Sequence, residues 1–254
     1  MEAHPGGGYS VSDGDALFTL HSGVLQEAPG SDATTRRALK ATGLSGAISI
    51  ADMGCGLGAA SLMLAQALPV REVTTIDLYQ PYLDALEARA QAAGIAAQTT
   101  IAASEIVTPK LSTASLDLIW YEGAFYFLGV TQGLSVRKPP LKPGGRIVFL
   151  EVVWLTEEPS KDAALMWMEY PQMTTWAGVL ERIDAAGFSV INDFLQPDSD
   201  WREYLCSLGA RATALRPESD EALRGVLDGA EQEASLFERH GDTYGCQMFI
   251  TEPA

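Results

Sequence analysis

One stretch constrains this chain more than any other: Ile48-Ser49-Ile50-Ala51-Asp52-Met53-Gly54-Cys55-Gly56-Leu57-Gly58. Apolar residues run into an aspartate, glycines follow at every second position, and an Ala/Leu-rich segment comes next. The pattern predicts a strand, a tight turn and a helix. Glycine lets the backbone turn sharply and lets a ligand lie against bare main chain. The first N–H groups of the helix then point at whatever sits in the turn. Such a unit places a nucleotide-type ligand at the carboxyl end of a strand.

The kind of ligand depends on a few residues. Gly54-x-Gly56-x-x-Ala59 fits the dinucleotide fingerprint, whose last position tolerates Ala. Asp52 argues against it, because a pyrophosphate would meet a negative charge there, whereas a cationic ligand would be welcome. Gly58 adds a third glycine to the alternation. The next apolar stretch, residues 72–77, is rich in β-branched residues and ends in Asp77, an acid placed to accept both ribose hydroxyls. That feature marks an adenosine ligand of either kind.

The elements around this unit alternate. Residues 16–20 predict a short helix, and Ser31 or Asp32 caps a second one. The helix after the glycine turn carries Leu62, Leu64, Ala65 and Leu68 and stops at Pro69. Pro81 opens the next helix and Gly94 closes it. Residues 98–101 and 116–121 read as strands, 125–136 as a helix, and Lys142-Pro143-Gly144-Gly145 as a tight turn into a strand over 146–153. Further on, residues 161–170, 174–186 and 201–208 predict helices, with strands at 188–195 and 244–250. Ser219 is placed to cap a longer helix through Phe237. Alternation of this kind predicts an α/β fold, a mostly parallel sheet doubly wound by helices, with the last two strands antiparallel at one edge. Residues 1–13, with Pro5-Gly6-Gly7-Gly8, read as a mobile tail.

The chain of 254 residues carries a net charge of −16, a field that repels phosphate backbones and anionic membranes. Nucleic acid and membrane are therefore not expected partners. Cys55, Cys206 and Cys246 are odd in number and without a CxxC pair, which suits a reducing, cytoplasmic setting and argues against a disulfide framework or zinc site. No H-x-x-H or carboxylate cluster suggests another metal. No signal peptide or membrane span is expected.

Four stretches together carry a resemblance: Pro29-Gly30-Ser31, Asp52 to Gly58, residues 116–124 (LDLIWYEGA), and Leu141-Lys142-Pro143-Gly144-Gly145. In this order they resemble the class I S-adenosylmethionine (SAM) methyltransferases, in particular the small-molecule branch of ubiquinone/menaquinone-biosynthesis type. The resemblance runs from about residue 28 to the end. It implies a Rossmann-like seven-stranded sheet with an antiparallel last strand, an N-terminal helical lid over residues 1–46, and a methyltransferase domain over 47–254 whose C-terminal half supplies the substrate side. It implies SAM as cofactor and S-adenosylhomocysteine (SAH) as product. Asp52, Gly54, Cys55 and Gly56 would face the methionine part, with Ser31 nearby. Asp77 would hold the ribose and Leu78 the adenine. Ser104 stands where the family places an acid at the adenine edge, with Glu105 beside it. Glu122 would sit near the methyl donor or the acceptor.

Methyl transfer is an in-line displacement that needs alignment, exclusion of water and often a base. Glu122 is the candidate orienting group, and His21 the histidine best placed to be a base. Tyr121, Tyr126 and Trp154 are candidates for the substrate wall, although packing in the core would explain such rings equally well. The reaction read here is methyl transfer to an O, N or C nucleophile of a small-molecule acceptor. A nicotinamide-dependent oxidoreductase and a non-catalytic SAM-binding protein remain as alternatives. Whether the chain forms a homodimer is left open by the sequence.

Overall fold

The computed structural model describes residues 11–67 and 69–254. Of the mobile tail expected over residues 1–13, residues 1–10 lie outside the described residues, as does the helix position Leu68, whereas residues 11–13 are helical. The glycine unit folds as expected: β1 (Ile48–Met53) leads through the turn into α3 (Ala59–Ala67). Ahead of it stand α1 (Val11–His21) and α2 (Asp32–Ala41). After it the chain alternates through β2 (Val70–Asp77), α4 (Gln80–Ala92), β3 (Thr99–Ala103), β4 (Leu116–Tyr121), α5 (Val130–Arg137) and β5 (Leu141–Trp154). The second half adds α6 (Lys161–Met166), β6 (Thr174–Thr175), α7 (Trp176–Ala185), β7 (Phe188–Leu195), α8 (Asp198–Leu215), α9 (Glu221–His240) and β8 (Tyr244–Pro253).

The strands form one sheet in the order β3-β2-β1-β4-β5-β8-β7. Strands β1 to β5 pair in parallel, and β8 runs antiparallel to both β5 and β7. This is the seven-stranded expectation with one addition, the two-residue β6 beside the end of β5.

The central strands are buried on both faces, so residues 116–121 read as a near-continuous apolar run rather than an alternation. Ile50, Leu118, Trp120 and Val148 pack on one face with residues of α2, α3 and α9. Ala51, Ile119, Tyr121 and Phe149 pack on the other with α5 and α7. The N-terminal helix is held at a distance from the sheet: Leu20 and Val24 join Leu208 and Ala212 of α8 and Leu227 and Ala230 of α9 in a separate core.

Several element boundaries differ from those predicted. The helix expected over 125–136 is interrupted, with a single 3-10 turn at Phe125–Phe127 before α5. Gly129 breaks it at φ 71°, and a side chain there would strike Gln172. Asp220, not Ser219, caps α9: its carboxylate accepts from Leu223 N–H at 2.9 Å, while the Ser219 hydroxyl turns back to Arg216 O. The Lys142–Gly145 turn is absorbed into β5 as an irregularity of the pairing with β4. Ser31 does cap α2, accepting from Thr34 N–H.

One buried cation ties this framework to the loop after β3. Arg137, 4% exposed, donates from Nε to the Tyr121 hydroxyl at 2.7 Å and from Nη2 to Ile106 O and Val107 O. Burial holds the Tyr121 hydroxyl up at about 12, so it stays a neutral partner. Replacing Arg137 by Met strands these acceptors away from water. The expected loss is about 2–4 kcal/mol of folding stability, read as a lowered urea midpoint, and an unchanged midpoint would show the network to be idle.

Candidate active site

The site forms where the sheet order reverses. From β1 the chain moves to β2 and β3 on one side, then crosses to β4 on the other. A crevice opens at such a switch point, at the carboxyl ends of the strands. Across it the N–H groups of Gly54 and Cys55 both donate to Ile76 O, at 2.7 and 3.1 Å. Gly56 has φ 50°, and a Cβ there would lie 2.7 Å from the Glu27 carboxylate. The turn is bare because another segment leans directly on it.

Carboxylates fill the donors of this turn. Asp77 accepts from Gly56 N–H at 2.9 Å with one oxygen and from Tyr79 N–H at 3.0 Å with the other. Glu27 accepts from Leu57 N–H at 2.6 Å. Asp52 is buried and takes the Ser61 hydroxyl at 2.5 Å. Glu122, just past β4, accepts from the Trp120 indole at 3.0 Å, the Thr35 hydroxyl at 3.1 Å and the Gln26 amide at 3.2 Å. Burial raises the carboxyls of Glu27, Asp52 and Glu122 to about 7, more than their hydrogen bonds lower them.

These groups face one cavity of about 390 Å³, within the range of small-molecule sites. Among the expected site residues, His21, Asp52, Gly54, Cys55, Gly56, Asp77, Leu78, Glu105, Glu122 and Tyr126 line it. Four others stand off it. Ser31 is spent on capping α2 and on a bond to Asp200 at 3.1 Å. Ser104 leaves the wall to Glu105, Ile106 and Val107. Tyr121 points into the core toward Arg137. Trp154 packs edge-on against Tyr244 with ring centroids 6.4 Å apart.

His21 has both ring nitrogens engaged: Nδ1 lies 2.9 Å from Leu17 O and Nε2 lies 3.2 Å from the Tyr204 hydroxyl. The carbonyl can only accept, which assigns the proton to Nδ1 and leaves Nε2 as acceptor. Burial lowers the His21 pKa, so the ring is neutral at pH 7.

Sequence reasoning missed Gln26, Glu27, Phe18 and Tyr82, all on the cavity wall. Phe18 stacks on Tyr79 with centroids 4.0 Å apart. The signal available for Gln26 and Glu27 was their position just before the Pro29-Gly30-Ser31 turn, two polar side chains in an apolar segment.

Comparison with known proteins agrees with this geometry. Residues 50–145 match a family described as methyltransferase domain. A SAM-dependent methyltransferase from Geobacter sulfurreducens, solved with SAH, superposes with a TM-score of 0.82 at 20% identity, covering 94% of this chain and 98% of that one. A second, from Thiobacillus denitrificans and also solved with SAH, gives 0.81 at 19% identity over 93% and 97%. The [4+2]-cyclase SpnF gives 0.75 at 18% identity over 94% and 92%. At these identities the likeness is one of fold.

The raised carboxyls set the direction of the pH dependence. Burial holds Glu27, Asp52, Glu122, Glu151 and Glu233 up at about 7 in the folded state, against ordinary values of 4.5 for Glu and 3.8 for Asp. Between those limits the folded state binds more protons than the unfolded one, so stability falls as pH rises. His21, lowered by burial, works the other way below its ordinary value of 6.5 but is a single group. The ligand-free protein is therefore expected to have a higher urea midpoint at pH 5.5 than at pH 8. A flat or inverted profile would mean that these carboxyls are not buried as described.

Proposed function

Residues 50–145 match a methyltransferase domain family, and from that match we propose how the site works. The protein transfers a methyl group from SAM to an O, N or C atom of a small molecule. The observation that carries this reading is the pairing of the glycine turn with Asp77 in a cavity walled by carboxyls and without a lining Lys or Arg among the described residues. A ligand with an amine, a sulfonium and no phosphate fits that wall. A dinucleotide does not, because its pyrophosphate would meet Asp77 and Glu27 on the donors it needs and the buried carboxyl of Asp52 beside them.

SAM supplies a methyl carbon made electrophilic by the sulfonium. The remaining work falls to the residues of the chain. Asp77, fixed by two backbone N–H groups, keeps lone pairs for the ribose hydroxyls. Leu78, 66% exposed in the cavity wall, lies against the adenine, and residues 105–107 close its edge. Asp52 and the turn of Gly54, Cys55 and Gly56 face the methionine part. Glu122 orients the reacting groups. His21 Nε2 is a second candidate to take a proton from the acceptor. The segment over residues 1–46 serves as the lid, since Leu17, Phe18, His21, Gln26, Glu27 and Ala28 supply one wall of the cavity. The cysteines are free and the net charge is −16, which supports a cytoplasmic setting and a small-molecule partner rather than nucleic acid.

Calorimetric titration with SAH, with NAD(H) as control, tests the reading. Micromolar SAH binding alone supports it, and binding of NAD(H) alone overturns it. Asp77→Ala is expected to weaken SAH binding by about 1–3 kcal/mol, roughly 5- to 150-fold, as for a lost buried charged hydrogen bond. Unchanged affinity removes Asp77 from the site. A cation entering among carboxyls that titrate near 7 lowers their pKa values, so binding of SAM should release protons at pH 7 and tighten from pH 6 to pH 8. Titrations in two buffers of different ionisation heat measure that release directly, and proton uptake would contradict the assignment.

A further inference from the structure

The charges on the cavity wall bear on the acceptor as well as on the cofactor. Among the described residues no Lys or Arg lines the cavity, whereas Glu27, Asp52, Asp77, Glu105 and Glu122 do. Residues 1–35 contain no Lys or Arg in the sequence, and Arg36, Arg37 and Lys40 of the lid segment are not among the lining residues. Backbone donors that elsewhere hold phosphates are filled from within: Gly56 and Tyr79 by Asp77, and Leu57 by Glu27. An acceptor bearing phosphate finds no cationic side chain here to pair with, and desolvating an unpaired dianion is expensive.

The cofactor accounts for Asp52 and Asp77 but not for Glu122. That carboxylate is held in place by Trp120, Thr35 and Gln26. Its clearance is specific, since a Cβ on Gly30 would come within 2.6 Å of Glu122 Oε1. Tyr126 and Phe127, 47% and 48% exposed and with ring centroids 4.1 Å apart, line the same cavity. Aromatic rings and a carboxylate lining one cavity are the elements of a receptor for an organic cation.

We infer that the methyl acceptor is an amine, received as its ammonium ion between Glu122 and the rings of Tyr126 and Phe127. The inference rests on the methyltransferase reading above. The ammonium gives one proton to the Glu122 carboxylate, and the freed lone pair on nitrogen forms the bond to the methyl carbon. The carbon–sulfur bond breaks with its electron pair going to sulfur, so a sulfonium becomes a thioether and the amine leaves as a methylated ammonium. The raised pKa of Glu122 suits a group that must take a proton near neutral pH.

The test uses the whole protein saturated with SAH and three probes of one shape, followed by calorimetry. These are 3-hydroxyphenyltrimethylammonium, its neutral carbon isostere 3-tert-butylphenol, and 3-hydroxyphenylphosphonate. The cation is expected to bind at least tenfold tighter than the isostere, with no measurable binding of the phosphonate. Glu122→Gln should abolish the tenfold preference while the isostere binds as before. Where that variant fails to fold, Tyr126→Leu, altered at an exposed ring, should reduce the same preference severalfold. Equal affinity of cation and isostere, binding of the phosphonate, or no binding of the cation overturns the inference. Failure of the protein to bind SAH in the first step would instead overturn the methyltransferase reading beneath it.

Discussion

The carboxylate of Asp77 bridges Gly56 N–H and Tyr79 N–H, and the site depends on that bridge. It ties the end of β2 to the turn after β1 and fixes the glycine backbone in the one shape that leaves room beside it. It also changes the electrostatics of the turn. The N-terminal end of a helix ordinarily attracts anions. Here Asp77 and Glu27 occupy the anion positions themselves, so the space in front of them presents negative rather than positive potential. A turn built for phosphates becomes a receptor for positive charge with little change of backbone.

Keeping several carboxyls together in a buried place is costly, and the fold limits the cost through hydrogen bonds from distant elements. Glu122 draws one donor from β4, one from α2 and one from the segment between α1 and α2. Asp200 at the start of α8 takes the hydroxyls of Ser31 and Thr34. These bonds join the N-terminal segment, the sheet and the C-terminal helices around the cavity. The N-terminal segment is thus anchored by polar bonds near the cavity and by the apolar core of Leu20 and Val24 with α8 and α9.

Most of the fold was legible because its signals are local. The glycine turn, Pro81 opening α4, Gly94 beyond its end and the apolar run of β4 each follow from a few adjacent residues. That Asp77 and Leu78 line the cavity was legible for the same reason, their place at the end of a strand. What escaped depends on contacts between distant parts of the chain. Glu27 meets Leu57 thirty residues away, and no periodicity reports that approach. Ser31 was read as part of the site from its motif, yet its hydroxyl is used by α2 and Asp200. Tyr121 and Trp154 show the limit of reading rings from composition, because strand parity and packing decide which side they face. Gly129 was legible as a residue but not as a break, since the helix on either side of it looked continuous.

The division of labour along the chain follows from these observations. The part that matches the methyltransferase family, residues 50–145, contains the glycine turn, Asp77, Leu78 and the loop at 105–107, all lining the cavity. Leu17, Phe18, His21, Gln26 and Glu27 lie outside that part and line the same cavity. A fold shared with a [4+2]-cyclase at a TM-score of 0.75 does not by itself choose a reaction. The choice rests with the few side chains that face the second ligand. Among the described residues the cavity wall combines exposed rings, a neutral histidine and a carboxylate held by three donors, with no lining Lys or Arg. The strand ends therefore set the glycine turn, Asp77 and Glu122 in place, and the N-terminal segment adds Glu27 to the same carboxyl-walled cavity.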